Sequence, residues 1–90
     1  MIQNHPEIYQ LILGLAHCYY NSELINEAIK MYNRAISLNS KCDKAYQGLA
    51  NIYFYKLNDK SEKAREYALK ALECNENNVY AKMIVAFTNE

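Results

Sequence analysis

Apolar residues recur along the chain with the spacing of amphipathic helices, in five segments that short polar stretches separate. Positions i, i+3, i+4 and i+7 fall on one side of an α-helix, so each segment is expected to be a helix with one buried side. The sequence predicts an all-α chain. The predicted helices run from Pro6 to about Asn21, from about Leu24 to Leu38, from Asp43 to about Lys56, from about Glu62 to Cys74, and from Val79 to the chain end.

Each predicted helix has a stripe of residues that should face the core. In the first helix the expected stripe is Ile8, Leu11, Ile12, Leu15, Ala16 and Tyr19. In the next three helices it is Ile25, Ala28, Ile29, Tyr32, Ala35 and Ile36, then Ala45, Tyr46, Leu49, Ala50 and Tyr53, then Ala64, Ala68, Ala71 and Leu72. The intervening polar residues include predicted helix caps, at Asn21-Ser22 and at Asp59 and Ser61.

Part of this pattern is an internal repeat. The heptapeptide Gly14 to Tyr20 returns as Gly48 to Phe54, 34 residues later, with Gly, Leu, Ala and Tyr at the same offsets. A period of this size is typical of helix–turn–helix repeats. Later positions recur after 36 residues: Ala28, Ala35 and Asn39 as Ala64, Ala71 and Asn75, then Ala45, Leu49 and Ala50 as Ala81, Val85 and Ala86. The two extra residues are expected in the loop between the third and fourth helices.

The recurring residues resemble the tetratricopeptide repeat family over nearly the whole chain. The family's signature positions fall on Ile12, Leu15, Ala16, Tyr19, Ala28, Tyr32 and Ala35, and again on Tyr46, Leu49, Ala50, Tyr53, Ala64, Ala68 and Ala71. The departures are Ile12 and Lys82 where the family has an aromatic residue, and Ser40 and Glu76 where it has proline. Other helical-hairpin families with nearby periods are the competing interpretation.

The resemblance implies a right-handed array of helical hairpins, an α-solenoid of five helices in one domain, 1–90. Its repeats would be about 9–42 and 43–78, with a half repeat at 79–90. In such arrays the first helix of each pair lines a concave groove. Here that face would carry Leu13, His17, Tyr20, Gln47, Asn51, Phe54, Tyr55, Tyr80, Met83, Ile84 and Phe87. Aromatic residues and Met on a concave surface suit a peptide ligand. Gly14 and Gly48 are expected to leave the groove floor open.

The charge balance and the cysteines restrict the classes of partner and the cellular location that the sequence predicts. Ten basic residues balance ten acidic ones without a block of like charge, which disfavours nucleic-acid phosphates and an anionic membrane as partners. Three cysteines without C-x-x-C spacing indicate reduced thiols, and no signal peptide or membrane span is recognisable, so a cytoplasmic location is expected. Cys18 and Cys74 are expected to be packed, and the spacing of His17, Cys18 and Cys42 matches no zinc site.

No phosphate loop, nucleophile–base pair or carboxylate pair is recognisable, so neither an enzyme nor a cofactor is expected. The favoured function is a protein–protein interaction module, a scaffold or adaptor that binds a peptide or helix in the groove. One alternative is self-assembly, or an excerpt of a longer array, because two and a half repeats are fewer than the three usually needed for stability. Apolar residues on several sides of the last helix favour a homodimer through it, with Ala81, Val85 and Ala86 facing the second repeat. RNA binding by the helical surface is a further alternative.

Overall fold

Five α-helices make up most of the chain in the computed structural model, which describes residues 6–40, 43–57 and 62–88. Their ends lie within one residue of the predicted ends wherever the structure describes them, so the all-α prediction is confirmed for these residues. The helices are α1 (Pro6–Asn21), α2 (Ile25–Leu38), α3 (Asp43–Asn51), α4 (Lys63–Cys74) and α5 (Val79–Thr88). A π-helical turn, Ile52–Lys56, continues α3.

The π turn was not predicted. It ends where the Leu57 N–H donates to the Ile52 carbonyl, five residues back, at 2.9 Å. Such turns hold one residue more than an α-helical turn and shift the angular position of everything after them. Ile52, the first residue of the turn, is completely buried although it lies outside the stripe predicted for this helix. It lies three residues after Leu49 and joins the same buried cluster. Tyr55, inside the turn, is 56% exposed.

The helices pack in chain order, each against the next, and α3 also contacts α5. The core therefore consists of two clusters that meet along α3, which is buried on two sides. One cluster joins α1, α2 and α3, and its buried members are Leu13, Ala16, Ala28, Tyr32, Ala35, Ala45, Leu49 and Ile52. The other joins α3, α4 and α5, and contains Ala50, Phe54, Ala64, Ala68, Ala71, Ala81 and Ile84. Tyr67 packs against both clusters.

The recurring alanines of the second and fourth helices are buried, as predicted for the sides that face the core. Ala28 and Ala35 in α2 and their counterparts Ala64 and Ala71 in α4 are all 0% exposed. A residue without a long side chain lets two helix backbones approach, while larger residues fill the space between crossings. The recurrence at 36 residues thus marks positions that are equivalent in the packing.

The buried stripe predicted for α1 is partly wrong. Ile8, Leu11 and Leu15 are 44%, 68% and 47% exposed, whereas Leu13, expected in the groove, is only 6% exposed. The reason is that α2 packs against the Leu13 and Ala16 side of α1. No helix among the described residues covers the other side.

The predictions for α5 and for the cysteines also need correction. Ala81 is buried and Val85 half-buried, but Ala86 is exposed and Ile84 is 1% exposed. Ala86 corresponds to Ala50, which is buried in the cluster that α3 forms with α4, and no described helix follows α5 to cover it. Cys18 and Cys74 are exposed rather than packed. Cys74 is the last residue of α4, and its counterpart Leu38, the last residue of α2, is also exposed, at 41%. Cys42 lies outside the described residues.

The predicted cap at Asn21-Ser22 is not formed. The residue that precedes α2 is Leu24, without a side-chain capping hydrogen bond, and Glu23 reverses the chain with φ of 65°. Asp59 and Ser61 lie outside the described residues. At α5 the cap is Asn78, whose Oδ1 accepts a hydrogen bond from the Ala81 N–H at 3.0 Å.

Candidate functional site

Helices α1, α3 and α5, each the first helix of a predicted pair and called the first helices below, carry the residues predicted to line a binding groove. Most of these side chains are accessible. His17, Tyr55, Tyr80, Met83 and Phe87 are exposed, and Tyr20, Gln47 and Asn51 are half-buried. The remaining three are buried instead: Leu13 at 6%, Phe54 at 8% and Ile84 at 1% exposure. These three support the accessible residues from the core and offer a ligand little or no surface.

Four aromatic residues at the carboxyl ends of the first helices form what we call the aromatic strip: Tyr20, Phe54, Tyr55 and Phe87. The Phe54 ring meets Tyr55 edge to face at 4.8 Å between centroids, and it lies 6.0 Å from the ring of Phe87. Tyr20 meets the end of this helix through Lys56, the residue after Tyr55, whose Nζ lies 5.1 Å from the centroid of the Tyr20 ring. The strip therefore joins all three first helices, and Tyr55 and Phe87 are its most exposed members.

Lys56 and Glu23 fix the Tyr20 end of the strip. Lys56 Nζ lies 2.6 Å from Glu23 Oε2 and 5.1 Å from the centroid of the Tyr20 ring, a cation–π geometry. The hydrogen bond to Glu23 raises the pKa of the Lys56 ammonium. Burial raises the pKa of the Tyr20 phenol, and the nearby Lys56 charge opposes part of that increase.

The predicted groove face is closed between α1 and α3, where Gly48 was expected to leave an opening. The ring of Tyr32, from α2, fills this space, and a Cβ atom at position 48 would overlap with it. The Tyr32 hydroxyl then reaches α1, where it forms a hydrogen bond of 3.0 Å with Nδ1 of His17. Burial raises the pKa of Tyr32 to about 12. Gly14, in contrast, has no neighbour within 4 Å of its Cβ position.

A polar network joins the amino ends of α3 and α5. Asn78, 7% exposed, donates from Nδ2 to Asp43 Oδ2 at 2.9 Å and to Gln47 Oε1 at 3.0 Å. Asn75 Nδ2 also donates to Asp43 Oδ2, at 3.2 Å. Together with Tyr80 these residues line a shallow pocket of about 220 Å³. The network sets the position of α5, and hence of Tyr80, relative to α3.

The tyrosines on the α3–α4 side have a packing role. Tyr67 stacks between Tyr46 and Tyr53, with centroid distances of 6.4 Å and 5.7 Å, and all three are half-buried. Lys63 and Lys70 extend over the rings of Tyr53 and Tyr46, 5.6 Å and 6.0 Å from their centroids. These rings are covered by their own chain, unlike Tyr55 and Phe87.

Sequence reasoning missed several of these contacts. An Asn immediately before a helical segment is an N-cap signal, and it was available at Asn78. The ion pair between Glu23 and Lys56 joins residues 33 apart and has no comparable sequence signal.

The described residues contain no group of three or more His, Cys, Asp or Glu side chains that could hold a metal ion. Within the same part of the chain, every helix is too short or too polar to cross a membrane. Comparisons with protein-family models, with curated proteins and with solved structures find no match to this chain.

Proposed function

We propose that this chain is a tetratricopeptide-like protein–protein interaction module that binds a peptide or a helix of a partner protein across α1, α3 and α5. In this proposal α1–α2 and α3–α4 are successive hairpins of a right-handed solenoid, and α5 begins a third. The module would act as a scaffold or adaptor in the cytoplasm.

The aromatic strip is the observation that carries this proposal. Aromatic rings bury a large area with few rotatable bonds, which is why they are enriched at the energetic centres of protein interfaces. Tyr55 and Phe87 are 56% and 63% exposed, and Phe54 supports both from below. A partner with apolar or aromatic side chains would cover these rings.

Polar groups beside the strip suit an extended backbone. Asn51 lies one helical turn before the strip on α3, and His17 lies one turn before Tyr20 on α1. Tyr80 adds a hydroxyl at the opposite end of α5. Side chains that both donate and accept hydrogen bonds can satisfy peptide groups that the rings desolvate.

Self-association is the second candidate, and the exposed side of α5 favours it. Val79, Tyr80, Met83 and Phe87 are 62%, 60%, 42% and 63% exposed on one helix of ten residues. A symmetric dimer in which two copies of α5 pack together would cover them.

The test begins with selection of twelve-residue peptides from a random displayed library against the immobilised chain. Titration of a selected peptide into isotopically labelled chain should shift the amide signals of Tyr20, Asn51, Tyr55 and Phe87. The double substitution of Tyr55 and Phe87 by Ala should weaken binding at least tenfold. Leu69→Ala is the matched control, since Leu69 is a 41% exposed apolar residue on α4.

Failure to select any peptide, or equal weakening by Leu69→Ala, would contradict the groove proposal. Light scattering across a concentration series tests the second candidate. A dimer that becomes monomeric when Met83→Lys and Phe87→Glu are combined would support self-association. Both residues are exposed, so this variant should still fold.

A further inference from the structure

The two ends of the aromatic strip are held by different kinds of contact. Between α3 and α5 the rings of Phe54 and Phe87 lie 6.0 Å apart, and the contact is apolar. Between α1 and α3 the contact involves a charge, because Lys56 Nζ lies 5.1 Å from the centroid of the Tyr20 ring. The strip therefore has an ammonium group beside it at its α1 end.

Glu23 provides the counter-charge of this ammonium group. Its Oε2 lies 2.6 Å from Lys56 Nζ, and within residues 6–40, 43–57 and 62–88 no other carboxylate forms an ion pair with Lys56. The Glu23 side chain is 66% exposed, whereas that of Lys56 is 26% exposed. Exposed ion pairs are weak, because water screens them and two long side chains must be ordered. Another carboxylate can therefore replace Glu23 at little cost.

The backbone at Glu23 favours glycine. Its φ is 65°, in the left-handed region that residues other than glycine seldom adopt. Glycine would carry the chain from α1 to α2 without this cost, so the side-chain contact with Lys56 is what glutamate adds at this position. The variant Glu23→Gly should accordingly keep the turn and remove only the carboxylate.

A ligand that covers Tyr55 and Phe87 would also change the surroundings of Lys56. Lys56 directly follows Tyr55, so a ligand that extends along the strip towards Tyr20 would exclude water from the ammonium group. Coulomb attraction strengthens as water is excluded. A carboxylate on the ligand would meet the ammonium group in this drier region, whereas Glu23 would remain largely in water.

We propose that Lys56 binds a side-chain carboxylate of the partner, and that Glu23 occupies the same ammonium group in the free chain. This inference rests on the peptide-binding function proposed above and adds the class of ligand. The ligand has aromatic or apolar anchors for Tyr55 and Phe87 and an Asp or Glu on the side towards α1. Glu23 is an internal competitor that weakens the binding of acidic ligands. It also lets uncharged ligands cover Lys56 without leaving a buried charge unpaired.

Two synthetic tripeptides provide the test, acetyl-Phe-Glu-Phe-amide and acetyl-Phe-Gln-Phe-amide. Neither has a terminal charge, so the two differ in charge only by one side-chain carboxylate. Each is titrated into the isotopically labelled full chain, and its affinity is obtained from the amide signals of Tyr55 and Phe87. The ionic strength is about 0.15 M, at which exposed charges more than about 8 Å apart are largely screened. The measured quantity is the acid preference, the affinity for the Glu tripeptide divided by that for the Gln tripeptide.

Removal of the Glu23 carboxylate should raise the acid preference. Glu23→Gln and Glu23→Gly should each raise it about two- to fivefold, the range that exposed ion pairs give. Lys56→Met should lower it below the value of the parent chain, because Glu23 then repels the carboxylate of the ligand. Glu66→Gln removes an exposed carboxylate from α4 instead. It is the matched control and should leave the acid preference unchanged.

A purely structural role of the ion pair gives a different result. If Glu23 and Lys56 only held Tyr20 in place, Glu23→Gln would weaken both tripeptides alike and leave the acid preference unchanged. That result, or an acid preference that Lys56→Met does not lower, would overturn the inference and leave the groove proposal standing. Failure of both tripeptides to shift Tyr55 and Phe87 would also overturn it, and the peptide selection described above then decides the groove proposal separately.

Discussion

The central first helix, α3, and the outer first helix, α1, share four of seven residues over one heptapeptide and have opposite surroundings. Leu49 is 0% exposed, whereas its counterpart Leu15 is 47% exposed. Gly48 lies under an aromatic ring, and its counterpart Gly14 faces open space. In a helical array each unit contacts only its neighbours, so burial depends on which helices are adjacent as much as on the residue.

The other outer first helix, α5, gives the same contrast from the opposite side. Ala50 in α3 is 0% exposed in the cluster with α4, and its counterpart Ala86 is exposed. Among the residues that the structure describes, α3 is therefore covered on two sides, and α1 and α5 are each covered on one. Matched substitutions at equivalent positions can test this difference directly.

The largest difference in stability is expected between the variants in which the paired leucines, Leu49 and Leu15, are each replaced by Ala. Leu49→Ala should lower the free energy of unfolding by about 2–5 kcal/mol, because it leaves a cavity in a packed cluster. Leu15→Ala should cost less than about 1 kcal/mol, since much of that side chain is already in water. Urea denaturation of both variants measures the difference. Equal losses would mean that the uncovered side of α1 is covered in solution.

Replacing the paired glycines, Gly48 and Gly14, by Ala should change the stability of the chain in opposite directions. Gly48→Ala should destabilise the chain by about 1–3 kcal/mol, because the new methyl group would overlap with the Tyr32 ring. Gly14→Ala should stabilise it by about 0.5–1 kcal/mol, the usual gain from replacing glycine inside a helix. Thermal melts followed by circular dichroism give the sign of each change. A loss of stability in Gly14→Ala would show that the space at the Gly14 Cβ position is occupied in solution.

Of the paired alanines Ala50 and Ala86, only Ala50 is expected to lower the stability of the chain when it is replaced by Leu. Ala50→Leu should overpack the crossing of α3 with its neighbour and cost about 1–3 kcal/mol. Ala86→Leu should change stability by no more than about 0.5 kcal/mol, because the position is exposed. If Ala50→Leu melts at the temperature of the parent chain, the helix register described for α3 is wrong.

Tyr32, which covers Gly48, should give a smaller and pH-dependent effect. Its folded pKa of about 12 lies above the ordinary value of 10.0, so the unfolded chain loses this proton first. Stability should accordingly fall as pH rises from about 10 to 12, by up to about 1.4 kcal/mol per pH unit. Tyr32→Phe should reduce that slope, and at neutral pH it should cost about 0.5–1.5 kcal/mol for the lost hydrogen bond to His17. Urea titrations of both chains at several alkaline pH values measure the two slopes. Equal slopes would mean that Tyr32 titrates normally.

Helix positions could be predicted from the sequence, because the apolar period and the alanine recurrence are local properties. The buried side of α1 could not. Ile8, Leu11, Leu13 and Leu15 are apolar on more than one side of the helix, so periodicity alone does not determine which side packs. That choice is made by α2, through Leu13 and Ala16.

The candidate site shows the same division. Eight of the eleven predicted residues are accessible or half-buried, whereas Leu13, Phe54 and Ile84 are buried. Ile84 lies in the same buried cluster as Ala68 of α4, and the pattern of a single helix does not reveal which residues of other helices surround it. Nothing in Ile52 to Lys56 breaks a helix, so the π turn could not be foreseen from residue types.

The π turn matters for anyone who builds longer arrays by copying one unit of this chain. It places an extra residue inside α3, so part of the added length of the second copy lies within a helix, whereas the whole of it was expected in the loop. In an array built only from the second repeat, every unit would contain the π turn. In an array built only from the first repeat, no unit would contain it. Chimeras that join the two at equivalent sequence positions would rotate the side chains that follow Asn51 away from their present directions. The junction of such a chimera should therefore precede Ile52 or follow Lys56, so that the chimera contains either the complete π turn or none of it.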